Sequence, residues 1–148
     1  MLVCDQLNRQ FEVKAPINTV VSLVPSHTEL LVDLGLKGIL KGRTKFCTHP
    51  QDQTKDIQIV GGTKTIHFDR IDAIEPDLII CNKEENKKDD VHKLAETYSV
   101  WVSEIKTLED SFHMIRQMDI LFDTQTIGET IIKESKTAIQ NLKQAKPQ

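Results

Sequence analysis

Two hydrophobic periods alternate along this chain. Short apolar runs rich in β-branched residues occur at Val20–Val24, Asp77–Cys81 and Val100–Val102. Runs of this kind without polar alternation suit strands covered on both faces. Ile39–Thr44 and Ile57–Val60 read as further strands. Between them, apolar residues recur every three or four positions. This predicts helices after Pro25, over Phe68–Ile74 (Phe68, Ile71 and Ile74 inward), over Asp89–Tyr98 and over Leu108–Leu121. The last segment, Thr124–Ala145, predicts one long helix with Ile127, Ile131, Ala138 and Leu142 on its apolar stripe. Ahead of all these, Met1–Cys4 and Gln10–Val13 flank a polar turn and predict a small β-hairpin. Strands alternating with helices imply the α/β class, with a parallel sheet, right-handed connections and helices on both faces.

The junction at Val20–Leu31 is the most telling. Pro25 ends the strand, and Ser26 with Glu29 three residues on predicts a capping box at the start of the helix. Gly35 suits the left-handed position that closes that helix. In open α/β sheets, ligands sit at the carboxyl ends of strands, facing such helix starts. Gly61-Gly62-Thr63 follows another strand and predicts a tight turn where backbone approaches a ligand or another chain closely. The charged run Lys83–Asp90 reads as a solvated loop and helix start, and because Asn82, Lys83 and Glu84 follow the strand at Asp77, the alternative is that they face the same rim as His27.

Composition narrows the function classes. The length of 148 residues supports a core without disulfides or metal, and the net charge of −3 is built from interspersed Lys and Asp/Glu, so no nucleic-acid partner is expected. No stretch approaches the ~18–20 apolar residues of a membrane span. Met1 leads directly to Asp5 without the basic and apolar regions of a secretory leader, and Leu2-Val3-Cys4 lacks the leader of a lipoprotein site. The three cysteines, Cys4, Cys47 and Cys81, have no paired spacing, so reduced thiols are expected.

No glycine-rich phosphate loop, dinucleotide fingerprint or nucleophile elbow is present, which points away from an enzyme. One chemical alternative is a zinc or iron site, because His27, His49 and His67 with Cys47 and Cys81 lie at or near strand carboxyl ends. His92 and His113 fall within helices away from that rim.

Five ordered blocks carry a family resemblance: Val21-Ser22-Leu23-Val24-Pro25-Ser26 with Thr28-Glu29-Leu30-Leu31; Gly42-Arg43-Thr44 leading to Pro50; Val60-Gly61-Gly62-Thr63-Lys64; Ile74 with Pro76-Asp77-Leu78-Ile79-Ile80; and Val100-Trp101-Val102. Together they resemble the amino-terminal lobe of the cobalamin- and siderophore-type substrate-binding proteins of ABC transporters. These are the type III periplasmic binding proteins, in which a helical backbone joins two lobes. The resemblance implies a Rossmann-like lobe over residues 1–122, a bridging backbone helix over 123–148, and a second lobe absent from this chain.

What the family does then becomes an expectation here. Its cobalamin binders place aromatic rings on first-lobe loops at positions matching Phe46, Thr63 and Asn82. Only Phe46 keeps a ring to stack on a flat macrocycle, which shifts the expectation toward a smaller or more polar ligand such as a ferric chelate. Lys64 and Lys83 suit an anionic chelate. With Ser26 and His27 at the first junction, the expected ligand set is Ser26, His27, Phe46, Thr63, Lys64, Asn82 and Lys83. Asp69, beside Arg70, matches the acidic residue that docks on the permease. The resemblance thus implies a non-enzymatic uptake receptor for a corrinoid, haem or ferric siderophore, with no resident cofactor. Apolar surface left by the second lobe is expected to favour a homodimer. A periplasmic or cell-surface location follows from the family, while the leaderless start leaves a cytoplasmic one open.

Overall fold

The computed structural model describes residues 1–124 and 126–145, so residues 125 and 146–148 of the expected backbone-helix segment lie outside the described residues. The chain forms two compact units, residues 1–105 and 106–148.

In the first unit, β1 (Leu2–Cys4) and β2 (Gln10–Glu12) form the expected antiparallel hairpin. Buried Asp5 organises its turn by accepting from the Leu7 and Arg9 amides and from Arg9 Nε, each at 3.0 Å. The same carboxylate accepts from the Val102 amide at 3.1 Å, so the hairpin is tied to the sheet.

The sheet comprises β3 (Val20–Ser22), β4 (Leu40–Arg43), β5 (Gln58–Ile59), β6 (Leu78–Asn82) and β7 (Val100–Ser103). All pairings are parallel and the spatial order is β5-β4-β3-β6-β7. The chain runs outward from β3 in one direction, then crosses over and runs outward in the other. The crevice between the carboxyl ends of β3 and β6 is therefore the switch point where such sheets bind ligands.

Helices cover both faces. Val21, Ile79, Cys81, Val100 and Val102 pack with Ile71 of α3 (Phe68–Ile74) and with Val91 and Leu94 of α4 (Lys88–Ala95). Side chains alternate along a strand, so Ser22 and Ser103 face the other way. There they hydrogen-bond α1 (Pro25–Asp33), Ser22 to Thr28 and Ser103 to His27. Gly42 permits close packing of α3 on β4, since a Cβ there would lie 3.0 Å from Ile74 Cδ1.

Local expectations fail at several places. Helix α1 begins at Pro25, one residue before the expected Ser26 cap, and Val24 is its N-cap with no side-chain bond. Proline is preorganised for the first helical position and needs no donor there, so the expected Ser26–Glu29 capping box does not form. The β3 ladder stops at Ser22, short of Val24. A one-turn helix, α2 (Gln51–Thr54), occupies what reads as an irregular loop after β4. Gly35 ends α1 with φ +81° as expected.

In the second unit, α5 (Leu108–Phe122) starts with a capping box between Thr107 and Asp110. Helix α6 (Ile127–Ala145) packs on it. Asp119 of α5 accepts from the Gly128 amide at 3.0 Å, and Arg116 pairs with Glu129 at 3.1 Å. The expected α6 stripe is displaced. Gly128 and Ile132 are buried, whereas Ile127, Ala138 and Leu142 are exposed, Leu142 at 72%. Ile131 is half-buried between the two sets.

Candidate functional site

Three loops meet at the carboxyl rim of the sheet, and Asn86 joins them. Its side chain is buried and fully used. Nδ2 donates to the carbonyls of Leu23 (3.1 Å) and Thr63 (3.2 Å), and Oδ1 accepts from the Asn82 amide at 2.9 Å. The loops after β3, β5 and β6 are thus bridged by one amide, directly over the switch point. Lys64 adds a second bridge, donating from Nζ to the Glu84 carbonyl at 2.8 Å.

Asn82 supports the same loop from below. Its Oδ1 accepts from the Glu84 and Glu85 amides at 2.8 and 3.0 Å, and its Nδ2 donates to Ser103 Oγ at 2.8 Å. Ser103 in turn lies 2.6 Å from His27 Nε2. Burial lowers the His27 pKa to about 4, because a charged imidazolium there has lost its water. The ring is therefore neutral near pH 7. Chained together, His27, Ser103 and Asn82 link α1, β7 and the β6 loop beneath the rim.

On the β4 side, Phe46 is 55% exposed. Its ring lies against Gly62, where a Cβ would stand 3.5 Å from Phe46 Cε2. Lys45 Nζ sits 5.1 Å from the ring centroid, a cation–π contact. Gly61 makes the turn beneath it with φ +129°, and a Cβ there would collide with the Thr65 carbonyl at 2.2 Å. The result is an outward aromatic surface on a rigid glycine turn, flanked by Lys45 and Lys64.

The expected ligand residues therefore separate into two groups. Ser26, Phe46, Lys64 and Lys83 are exposed and Thr63 is half-buried, all on rim loops. Lys83 pairs with Glu104 at 3.2 Å. His27 points inward, and the Asn82 amide is engaged in internal hydrogen bonds. Asp69 is exposed in the first turn of α3, next to Arg70, whose Nη1 donates to the Ile59 carbonyl at 3.0 Å. Asn86 and Ser103 escaped the sequence reading. A polar residue closing an apolar strand is a weak signal for Ser103, and nothing local singles out Asn86.

The alternative metal set does not assemble. Cys47 is buried with Sγ 3.0 Å from Thr44 Oγ1, while His49 and His67 are exposed. Cys81 is buried in the core, and desolvation pushes its thiol up to about 12. Among the described residues, no three His, Cys, Asp or Glu side chains are grouped to hold a metal ion.

Comparison with known proteins agrees with this architecture. Residues 20–148 match a family model described as "Periplasmic binding protein". A vitamin B12-binding protein of Vibrio vulnificus is 28% identical over 130 residues, which is 87% of this chain and 47% of that protein. The structure of the periplasmic vitamin B12 binding protein of Vibrio cholerae superposes with TM-score 0.77 at 23% identity, covering 86% of this chain and 50% of the other. A periplasmic heme binding protein from Pseudomonas aeruginosa superposes with TM-score 0.80 at 20% identity, covering 86% and 46%. The chain spans about half the length of the relatives it matches.

Proposed function

Because the chain belongs to the periplasmic binding protein family, we propose that it provides one wall of a ligand-binding cleft in an ABC uptake system. The ligand class is a corrinoid, haem or ferric chelate, in line with the names of its relatives. The observation that carries this reading is the rim itself. An exposed aromatic ring rests on a glycine turn beside two lysines, and the loops that frame it are bridged by Asn86 and Lys64. A preformed apolar surface with a few placed polar groups is what orients such a ligand without chemical conversion.

In this reading Phe46 stacks on the flat part of the ligand. Ser26 and Thr63 supply hydroxyls, Lys64 meets anionic groups, and Lys83 adds positive charge at the rim while paired with Glu104. His27 and Asn82 contribute indirectly by holding the loops. Asp69 is the docking carboxylate for a permease, and action outside the cytoplasmic membrane goes with that partner. Residues 1–122 act as the lobe, and within the segment 123–148 helix α6 (Ile127–Ala145) acts as its backbone helix.

The test is a thermal-shift and titration screen of this chain against cobalamin, haemin and several ferric siderophores. Ligand at about 100 times its dissociation constant contributes about 2.7 kcal/mol, a clear rise in Tm. Saturable binding of one of them, lost in Phe46→Ala, supports the reading. Binding that persists unchanged in Phe46→Ala, or none at all, counts against it.

A further inference from the structure

A second concavity lies at the opposite edge of the sheet. The hairpin turn, the β6–α4 loop and α4 enclose a cavity of about 330 Å³. Leu7, Val91 and Val102 supply its apolar lining, Arg9, Lys83 and Lys88 supply its charge, and Asn86 and His92 complete the wall. It abuts edge strand β7 and shares Lys83 and Asn86 with the rim loops, while Phe46 follows β4, with β3 and β6 between that ring and the cavity.

The walls are fixed. Asp5 binds the Leu7 and Arg9 amides together with Val102, which locks the hairpin side to the sheet. Asn86 locks the loop side. Two of the cations are already answered, since Arg9 pairs with Asp5 at 2.9 Å and Lys83 with Glu104 at 3.2 Å. Lys88 is exposed and makes no ion pair among the described residues. Asp89 and Asp90 share its helical turn but do not line the cavity.

We propose that this cavity is a second small-molecule site, which takes a small amphipathic anion of the aliphatic monocarboxylate class. Its carboxylate meets Lys88 in a charge-assisted hydrogen bond. Its hydrocarbon tail packs against Leu7 and the faces of Val91 and Val102 that line the cavity. The cavity has the size and the mainly apolar lining of small-ligand sites, and Lys88, the lining lysine without an ion pair among the described residues, sets the charge of the occupant.

Methyl NMR of the labelled chain, titrated with octanoate at constant ionic strength, tests this. Saturable shifts are expected at the methyls of Leu7, Val91 and Val102. Lys88→Glu, a surface change that leaves the fold intact, should weaken binding by about tenfold or more, the loss expected for one charged hydrogen bond. Octanol should bind more weakly than octanoate by a similar factor, and Phe46→Ala should change nothing. Shifts that do not saturate, equal affinity in Lys88→Glu, or octanol as tight as octanoate would each overturn the proposal. Saturable shifts confined to the loops around Phe46 would also overturn it, while leaving the rim reading standing.

Discussion

His27 Nε2 and Ser103 Oγ lie 2.6 Å apart, joining the first turn of α1 to the end of β7 across 76 residues of sequence. Burial depresses the imidazole pKa to about 4 from the ordinary 6.5. Between those values the unfolded chain binds a proton that the folded chain does not, so stability falls as pH falls from 6.5 toward 4. Above 6.5 both states are neutral and this group contributes no pH dependence. The full loss is about 3 kcal/mol. Urea midpoints at pH 7, 5.5 and 4.5 should decline more steeply for the native chain than for His27→Gln.

Asn86→Ala removes one amide that serves three loops. Two carbonyls and one amide lose their partner at or near burial, at a cost of about 2–3 kcal/mol. Hydrogen exchange at the Asn82 amide should accelerate as well. A urea midpoint equal to that of the native chain would show that the loops are held by other contacts.

Gly61→Ala forces a side chain into positive φ and onto the Thr65 carbonyl. About 2–3 kcal/mol of stability should be lost, because both the backbone conformation and the contact are strained. Gly62→Ala, with its nearest neighbours at 3.5 Å, should stay within about 0.5 kcal/mol. Denaturation of the two variants side by side separates the two effects.

Phe46→Ala should leave stability nearly unchanged, within about 0.5 kcal/mol, since the ring is mostly exposed. Its effect belongs to ligand binding. A large drop in the urea midpoint would reassign Phe46 to the packing of the β4 and β5 loops.

Asp119 accepts from the Gly128 amide at the start of α6 and from the Thr124 hydroxyl. Asp119→Ala should cost about 1–2 kcal/mol, the usual value of a lost helix-terminal cap. Gly128→Ala should also destabilise, because its Cβ would stand 2.2 Å from Asp119 Oδ2. Circular dichroism during thermal unfolding checks both.

Several elements are legible from the residues that form them. The hairpin, α3 and the alternation of strands and helices follow from apolar spacing and turn residues, because burial periodicity and backbone preference are properties of short segments. Gly35 closes α1 for the same reason. Family membership is legible as well, since the ordered blocks sit at strand ends where the backbone geometry restricts which residues fit. At the α1 cap two local signals compete. Pro25 is as good a first helical residue as Ser26 is a cap, and the proline prevails. The α6 stripe differs from the expected one because an amphipathic spacing has more than one solution. Packing on α5 selects Gly128 and Ile132 over Ile127 and Leu142.

The candidate site divides along the same line. The family resemblance implies Phe46 and Thr63 as ligand positions, with Lys64 and Lys83 beside them, and the structure puts all four on rim loops, Thr63 half-buried and the others exposed. Of the groups that hold those loops, the sequence singles out His27 and Asn82 as ligand residues rather than struts, and it does not single out Asn86 or Ser103. Asn86 bonds Leu23 across 63 residues, and His27 bonds Ser103 across 76. The sequence by itself determined the elements, their order and the family, because these depend on interactions between near neighbours. Only the tertiary structure decided which polar side chains turn inward as struts and which face outward. That choice depends on hydrogen-bond partners that the parallel sheet brings together from distant parts of the chain.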